Sequence, residues 1–303
     1  MRDPRALALG LALAVVAAAG FGAAALASGQ PANTAAHARA AGKGTVRVLY
    51  AGSLVDYMEN DFGPAFHKAT GYGYEGFGGG STEVANEIRG GVREGDVFIS
   101  AAAKADHSLE GASGGNWVSW YSTFAATPLL LGFDPHSSFG KQLARGKPWY
   151  RVITEPGILV GRTDPKLDPK GVLTVEAIAN AARKLHDPKL AAALGSFPVY
   201  PETALVGHLQ SGQLDAGFFY AVEASSAHFP TVKLAPAYKY ALYTVTILSH
   251  ATNPVGAAAL VRYLLASART STLKRNGLAP LKPTFSGNAA GVPVGLRRVV
   301  GAG

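Results

Sequence analysis

Three short segments of this 303-residue chain carry hydrogen-bond donors of the kind that hold an anion. Tyr50-Ala51-Gly52-Ser53-Leu54 sets a glycine-flanked serine where a strand-like run hands over to a helix-like one. Backbone N–H groups and the positive end of a helix dipole converge at such a point, which suits an anion. Gly78-Gly79-Gly80-Ser81-Thr82 repeats the arrangement at a second helix start. Tyr220 closes an apolar run, Ala216–Tyr220. At the C-terminal end of a strand in an α/β sheet it faces the usual ligand crevice, with a hydroxyl able to donate one hydrogen bond. Each feature also has a plainer reading: an N-cap serine, a flexible turn ending in a cap, and a core tyrosine with a wet tip.

Other patterns carry less. Gly71 to Gly76 matches G-x-G-x-x-G in form, but it follows a helix-like run and leads toward a strand, the reverse of a dinucleotide fingerprint. The Gly80-Ser81-Thr82 segment lacks the Gly-Lys-Ser/Thr ending of a P-loop. The eight histidines show no metal-ligand spacing, and neither H-E-x-x-H nor G-x-S-x-G occurs. The acidic residues are scattered, with no pair placed for acid/base work. Trp117, Trp120 and Trp149, with Tyr121 and Tyr150, read as packing under loops rather than as a sugar platform. Neither a catalytic residue nor a protein-bound metal is expected.

The elements that must position the donors alternate along the chain. Val46–Tyr50, Asp96–Ser100, Thr127–Phe133, Gly157–Gly161, Ala216–Tyr220 and Ala241–Leu248 read as strands. Val55, Met58, Phe62 and Phe66 recur at helical spacing, and Glu83–Arg89 and Glu202–Ser211 read as short helices. Thr174–Leu185 reads as a helix capped by Thr174, and Pro254–Lys274 as one long helix stopped by Asn276-Gly277. Strands separated by helices predict an α/β fold with parallel sheets.

Composition is that of a globular protein, 48% hydrophobic and 16% charged. Net charge is +8, spread without a basic block, so it favours collecting anions and does not form a nucleic-acid footprint. Arg2 and Arg5 precede an apolar run to about Ala27, with Ala25-Leu26-Ala27 before Ser28. Residues 1–27 therefore read as an export signal, or an uncleaved anchor, and place the protein outside the cytoplasm. Residues 28–44 read as a flexible tether. With no cysteine, the chain has neither disulfides nor a lipidated cysteine.

Together these segments resemble the substrate-binding proteins of molybdate/tungstate ABC transporters. The resemblance runs from about Val46 to Pro283. It rests on Tyr50-Ala51-Gly52-Ser53-Leu54, Gly80-Ser81-Thr82 and Val160–Pro165 with Asp168-Pro169-Lys170-Gly171. Leu209–Asp215 before Phe218-Phe219-Tyr220, then Asn253-Pro254 through Leu264-Leu265 and Asn276-Gly277-Leu278-Ala279-Pro280, complete it. It implies a type II periplasmic-binding-protein fold, two α/β lobes joined by two hinge strands with the ligand cleft between them. The crossings would fall near Thr127–Leu131 and Tyr240–Thr246, giving lobe 1 as 45–126 and 244–303 and lobe 2 as 127–243.

By the same resemblance Ser53 and Ser81 donate from the first lobe, while Asp168, Lys170, Thr203 and Tyr220 complete the cage from the second. The ligand would be a tetrahedral oxyanion held by neutral donors, with no cofactor, and the partner a membrane permease serving a monomeric receptor. In archaeal-type tungstate binders a glutamate precedes the tyrosine and, with an aspartate, extends the metal's coordination. Phe219 stands at that position here and cannot ligate. Sulfate, thiosulfate or another oxyanion is the alternative ligand, and an envelope sensor or secreted hydrolase the alternative class.

Overall fold

The computed structural model describes residues 43–303; the expected signal and most of the tether lie outside the described residues. The strands are β1 (Thr45–Ala51), β2 (Gly73–Gly79), β3 (Val97–Ser100), β4 (Trp120–Phe133) and β5 (Val160–Thr163). They continue with β6 (Val199–Tyr200), β7 (Ala216–Tyr220), β8 (Thr231–Lys233), β9 (Tyr240–Ile247) and β10 (Ala279–Gly287). The order is β2-β1-β3-β9-β4-β7-β5-β6, with β8 and β10 also paired to β4.

The expectation of parallel pairing holds at the two ends and fails in the middle. β2-β1-β3 and β7-β5-β6 are parallel sets, whereas β4 and β9 are antiparallel to every strand they meet. The reason is that β4 and β9 join two lobes instead of belonging to a β-α-β repeat. β4 pairs through Trp120–Pro128 with β9 and β10, then through Leu129–Phe133 with β7 and β8. β9 carries Thr244–Ile247 against β3. This strand bridge is tied to the first lobe by Asp106, whose carboxylate accepts from Ser100 and Thr244 inside the protein.

Helices α1 (Gly63–Thr70), α2 (Ser81–Arg89) and α3 (Ala103–His107) pack with the first strand set. After β4 come α4 (Ser138–Ala144), α5 (Trp149–Val152), α6 (Pro169–Leu185), α7 (Pro188–Ala193), α8 (Glu202–Gln210) and α9 (Ala221–Ala227). α10 (Pro254–Leu264), α11 (Thr270–Arg275) and α12 (Arg297–Val300) follow β9.

Four local expectations are corrected. The segment after Ser53 is not one regular helix: a 3-10 turn at Gly52–Leu54 leads into a wide π-type turn at Tyr57–Phe62 before α1. The helical spacing still buries Met58, Phe62 and Phe66. Helix α6 begins five residues before the expected Thr174 cap, because Asp168 caps it and Pro169 suits its first turn. Thr174 lies inside that helix, its hydroxyl buried without a partner.

The long C-terminal helix breaks after Leu264, with Ala266 extended before a 3-10 turn at Ser267–Arg269 and α11. From Ala266 to Thr272 no large apolar side chain is present to anchor a continuing helix face. Finally, Trp120 and Trp149 belong to β4 and α5 rather than to loops. Both are buried, the Trp149 indole N–H donating to Ala235 O at 2.7 Å.

The core runs from Tyr50 and Trp120 through Phe218, Tyr220 and Tyr243. Side chains alternate along a strand. On β7 that alternation sends Phe218 and Tyr220 to this core and Phe219 to a separate cluster with Leu205, Leu209 and Leu214. Among the described residues no helix is long and apolar enough to cross a membrane.

Candidate functional site in the cleft

The lobes touch through two glycines of the first lobe. A Cβ added at Gly52 would lie 2.6 Å from Glu202 Oε2, and one at Gly80 would lie 2.6 Å from Leu167 O. The Glu83 N–H, in the first turn of α2, donates to Leu167 O at 2.9 Å across the cleft. The two lobes are therefore in contact across the cleft at these points. Replacing Gly80 by alanine puts a methyl group against rigid backbone, and such overpacking costs about 1–3 kcal/mol. Gly80 has ordinary φ and ψ for any residue, so the cost falls on closure and not on local conformation. We expect ligand affinity to fall about 5- to 150-fold with a larger scattering radius for the ligand-soaked variant. Wild-type affinity in Gly80→Ala would show that the observed contact is not the closed state.

The structure corrects the cap reading of both serines. Ala51 and Gly80 stand at the N-cap positions, and neither serine hydroxyl caps its own helix. Ser53 Oγ instead shares a 2.7 Å hydrogen bond with Tyr243 Oη, and Ser81 Oγ accepts from the Ala101 N–H at 3.0 Å. Both serines are buried.

From the second lobe, Asp168 accepts from the Lys170 N–H at 3.1 Å, so it caps α6 as well as facing the cleft; its Oδ2 has no partner. Lys170 leaves α6 toward the same point and is fully buried. Its Nζ donates to Glu223 Oε1 at 2.6 Å and stands 3.5 Å from Glu202 Oε1. Tyr220 is fully buried, its Oη without a partner, and its ring meets that of Tyr243 edge-on at 6.4 Å. Thr203 is exposed on the wall of an 810 Å³ cavity that also touches Ser53, Glu202, Glu223 and Arg275. A smaller cavity of 200 Å³, lined by Gly80, Thr163, Asp168 and Glu202, lies on the other side of Glu202. Phe219 packs on Phe229 at 4.7 Å under α8 and offers nothing to a ligand.

Charged groups gather beside the neutral donors. Asp168, Glu202 and Glu223 bring three carboxylates, against one ammonium from Lys170, into a buried cluster. Burial raises the pKa of all three acids, and the Lys170 charge works against that rise. For Glu202 the Asp168 charge raises it further, well above the usual carboxylate range. Burial alone would lower the Lys170 pKa, but Glu223, Glu202 and Asp168 outweigh it and hold the ammonium charged. Burial, then neighbouring Asp168, raises Tyr220 well above its ordinary value, so its hydroxyl keeps its proton and remains a donor.

Glu202, Glu223, Tyr243 and Thr163 were not singled out by sequence. Glu223 had a findable signal: it stands three residues after Tyr220 and accepts the Tyr220 N–H at 2.8 Å, half of a capping box. Glu202 looked like an ordinary first-turn acid, favourable at any helix start. Nothing local marks Tyr243, which reaches Ser53 only because β9 crosses between the lobes.

The fold is that of a two-lobed binding protein with a cleft between two α/β lobes. Residues 46–279 match the family described as bacterial extracellular solute-binding protein, and the chain belongs to that family. It is 32% identical over 194 residues to a Haloferax volcanii protein whose name describes a candidate ABC transporter molybdenum-binding protein. That match covers 64% of this chain and 60% of the relative, so it spans less than two thirds of that relative's length. In structure it resembles the periplasmic molybdate-binding protein of Azotobacter vinelandii, with TM-score 0.62 and 18% identity over 77% of this chain and 98% of that one. It also resembles the sulfate-binding protein SubI of Mycobacterium tuberculosis, with TM-score 0.61 and 14% identity over 78% and 87%. At such identities these two likenesses concern the fold.

Proposed function

We propose that this protein is the receptor of an ABC importer, capturing molybdate or tungstate in its cleft and handing it to a membrane permease. The observation that carries this reading is the Tyr220 hydroxyl, fully buried and unpartnered beside Asp168, Glu202, Glu223 and Tyr243. A buried hydroxyl without a partner is costly, and an anion of acceptor oxygens removes that cost. Ser53 and Thr203 line the larger cavity, Asp168 and Gly80 the smaller one, with Ser81 following Gly80 and Lys170 joined to Glu223 on the larger cavity's wall. The family membership supports transport, and the name of the Haloferax relative supports a molybdenum oxyanion.

In this reading lobe 1 comprises 45–126 and 244–303 and lobe 2 comprises 127–243, consistent with the change of partners on β4 after Pro128. The N-terminal signal exports a monomeric receptor, with no nucleic acid as partner, to the outer face of the membrane. Sulfate or thiosulfate is the second reading, favoured by the SubI likeness in fold. Isothermal titration with molybdate, tungstate and sulfate decides between them. Dissociation constants of about 1 μM or tighter are expected for the first two, with sulfate much weaker. No heat with any oxyanion would remove the proposal.

A further inference from the structure

Among the described residues, Glu202 is the one carboxylate with both oxygens buried outside a well-formed hydrogen bond. Its side chain is completely buried, and the Ser53 backbone N–H approaches its carboxylate without closing a well-formed hydrogen bond. It stands at the first position of α8, between the two cavities of the cleft, and its Oε2 lies against Gly52 beside Ser53. Lys170 is the nearest cation, but its short bond goes to Glu223, leaving Glu202 at 3.5 Å.

The neighbours make an ionised Glu202 hard to reconcile with a captured anion. From α6 it faces Asp168 and Lys170, from α9 Glu223, from β7 Tyr220 and from β9 Tyr243. The larger cavity is also lined by Asp56, Asp61, Arg275 and His228. Three ionised carboxylates against one ammonium already leave the buried cluster two charges negative. A dianion would double that deficit beside side chains that are themselves almost wholly buried, where solvent screens charge weakly. Glu223 is satisfied by Lys170 and the Tyr220 N–H, and Asp168 uses one oxygen to cap α6. Glu202 is the acid with neither oxygen in a well-formed hydrogen bond, its contacts being Lys170 at 3.5 Å and the nearby Ser53 N–H.

Resting on the oxyanion reading above, we propose that Glu202 and the captured oxyanion share one proton: closure of the cleft protonates the Glu202 carboxylate from solvent, and the resulting carboxyl donates to an oxyanion oxygen. The balance is one proton taken up per anion bound, with no bond to the metal centre. Glu202 then supplies a donor that appears only on closure. In the open cleft, where water reaches it, the same group is an ordinary carboxylate. Its proton affinity is higher in the bound state than in the free state, so binding tightens as pH falls between the two values.

The test is titration of the full protein with sodium molybdate in buffers of different ionisation enthalpy, from about pH 8 to about pH 6, where a free glutamate is ionised and molybdate is a dianion. About one proton should be taken up, and the dissociation constant should fall by roughly tenfold per pH unit. Glu202→Gln places a permanent N–H donor at the same point. Its affinity should lose the pH dependence and exceed that of wild type at about pH 8, where wild type must first acquire a proton. Molybdate binding by wild type without proton uptake overturns the shared proton while leaving the oxyanion reading intact. Proton uptake that persists unchanged in Glu202→Gln also overturns it, and points to the free oxygen of Asp168 instead. Absence of heat with molybdate, tungstate and sulfate overturns both.

Discussion

Lys170→Met is expected to destabilise the protein by about 3–5 kcal/mol, on the order of 10 °C in melting temperature, the largest single-residue effect in the cleft. Lys170 is fully buried among Asp168, Glu202 and Glu223, and methionine keeps most of its stem packing while removing the only ammonium among them. What remains is a buried carboxylate at Glu223 whose strongest partner, at 2.6 Å, is gone. Breaking one half of a buried pair is costly for that reason, even where replacing the whole pair would not be.

The pH dependence has a definite sign. Burial raises the folded-state pKa of Glu202, Glu223 and Asp168 above their ordinary values, and Lys170 opposes the rise, so its removal raises them further. A carboxyl with a raised folded pKa binds protons more tightly folded than unfolded, so stability falls as pH rises through that window. The loss in Lys170→Met should therefore be larger at about pH 8 than at about pH 5. Adding Glu223→Gln should restore part of it. Thermal melting at the two pH values reads the result, and equal, small losses at both would show that the ion pairs are not formed in solution.

Tyr220→Phe should act in the opposite way on the two observables. The hydroxyl has no partner among the described residues, while the ring packs in the core and against Tyr243. Removing it leaves packing intact and deletes an unsatisfied buried group, so melting temperature should hold or rise. A hydrogen bond to a charged acceptor contributes about 1.5–3 kcal/mol, so oxyanion affinity should fall about 10- to 150-fold. Ser81→Ala makes the contrast: it strands the buried Ala101 N–H, and so should lower stability as well as affinity. Unchanged molybdate affinity in Tyr220→Phe would remove Tyr220 from the cage.

How much of this was legible in the sequence depended on whether the signal was local. β1 and β7 read correctly as strands because alternating or continuous β-branched and aromatic residues carry that signal themselves. β2 did not, since Gly-Tyr-Glu-Gly-Phe-Gly-Gly has little strand propensity. It is a strand because it pairs in register with β1 over seven residues. The cap at Thr174 was misplaced for a related reason: Asp168-Pro169 is as good a helix start, and only the contact of Gly80 with Leu167 and Asp168 shows which one the cleft uses.

The sequence by itself determined the donors and the scaffold that aims them. Ser53, Ser81 and Tyr220 each sit at a junction of elements written in a few neighbouring residues. Tertiary structure decided the charge of the place they meet. Lys170, Glu202 and Glu223 come from three helices and join only where those helices converge. An acid in the first turn of a helix has the same local pattern whether it faces water or a closing cleft. Only the fold turns Glu202 inward without a partner, and that burial makes its proton part of the binding site.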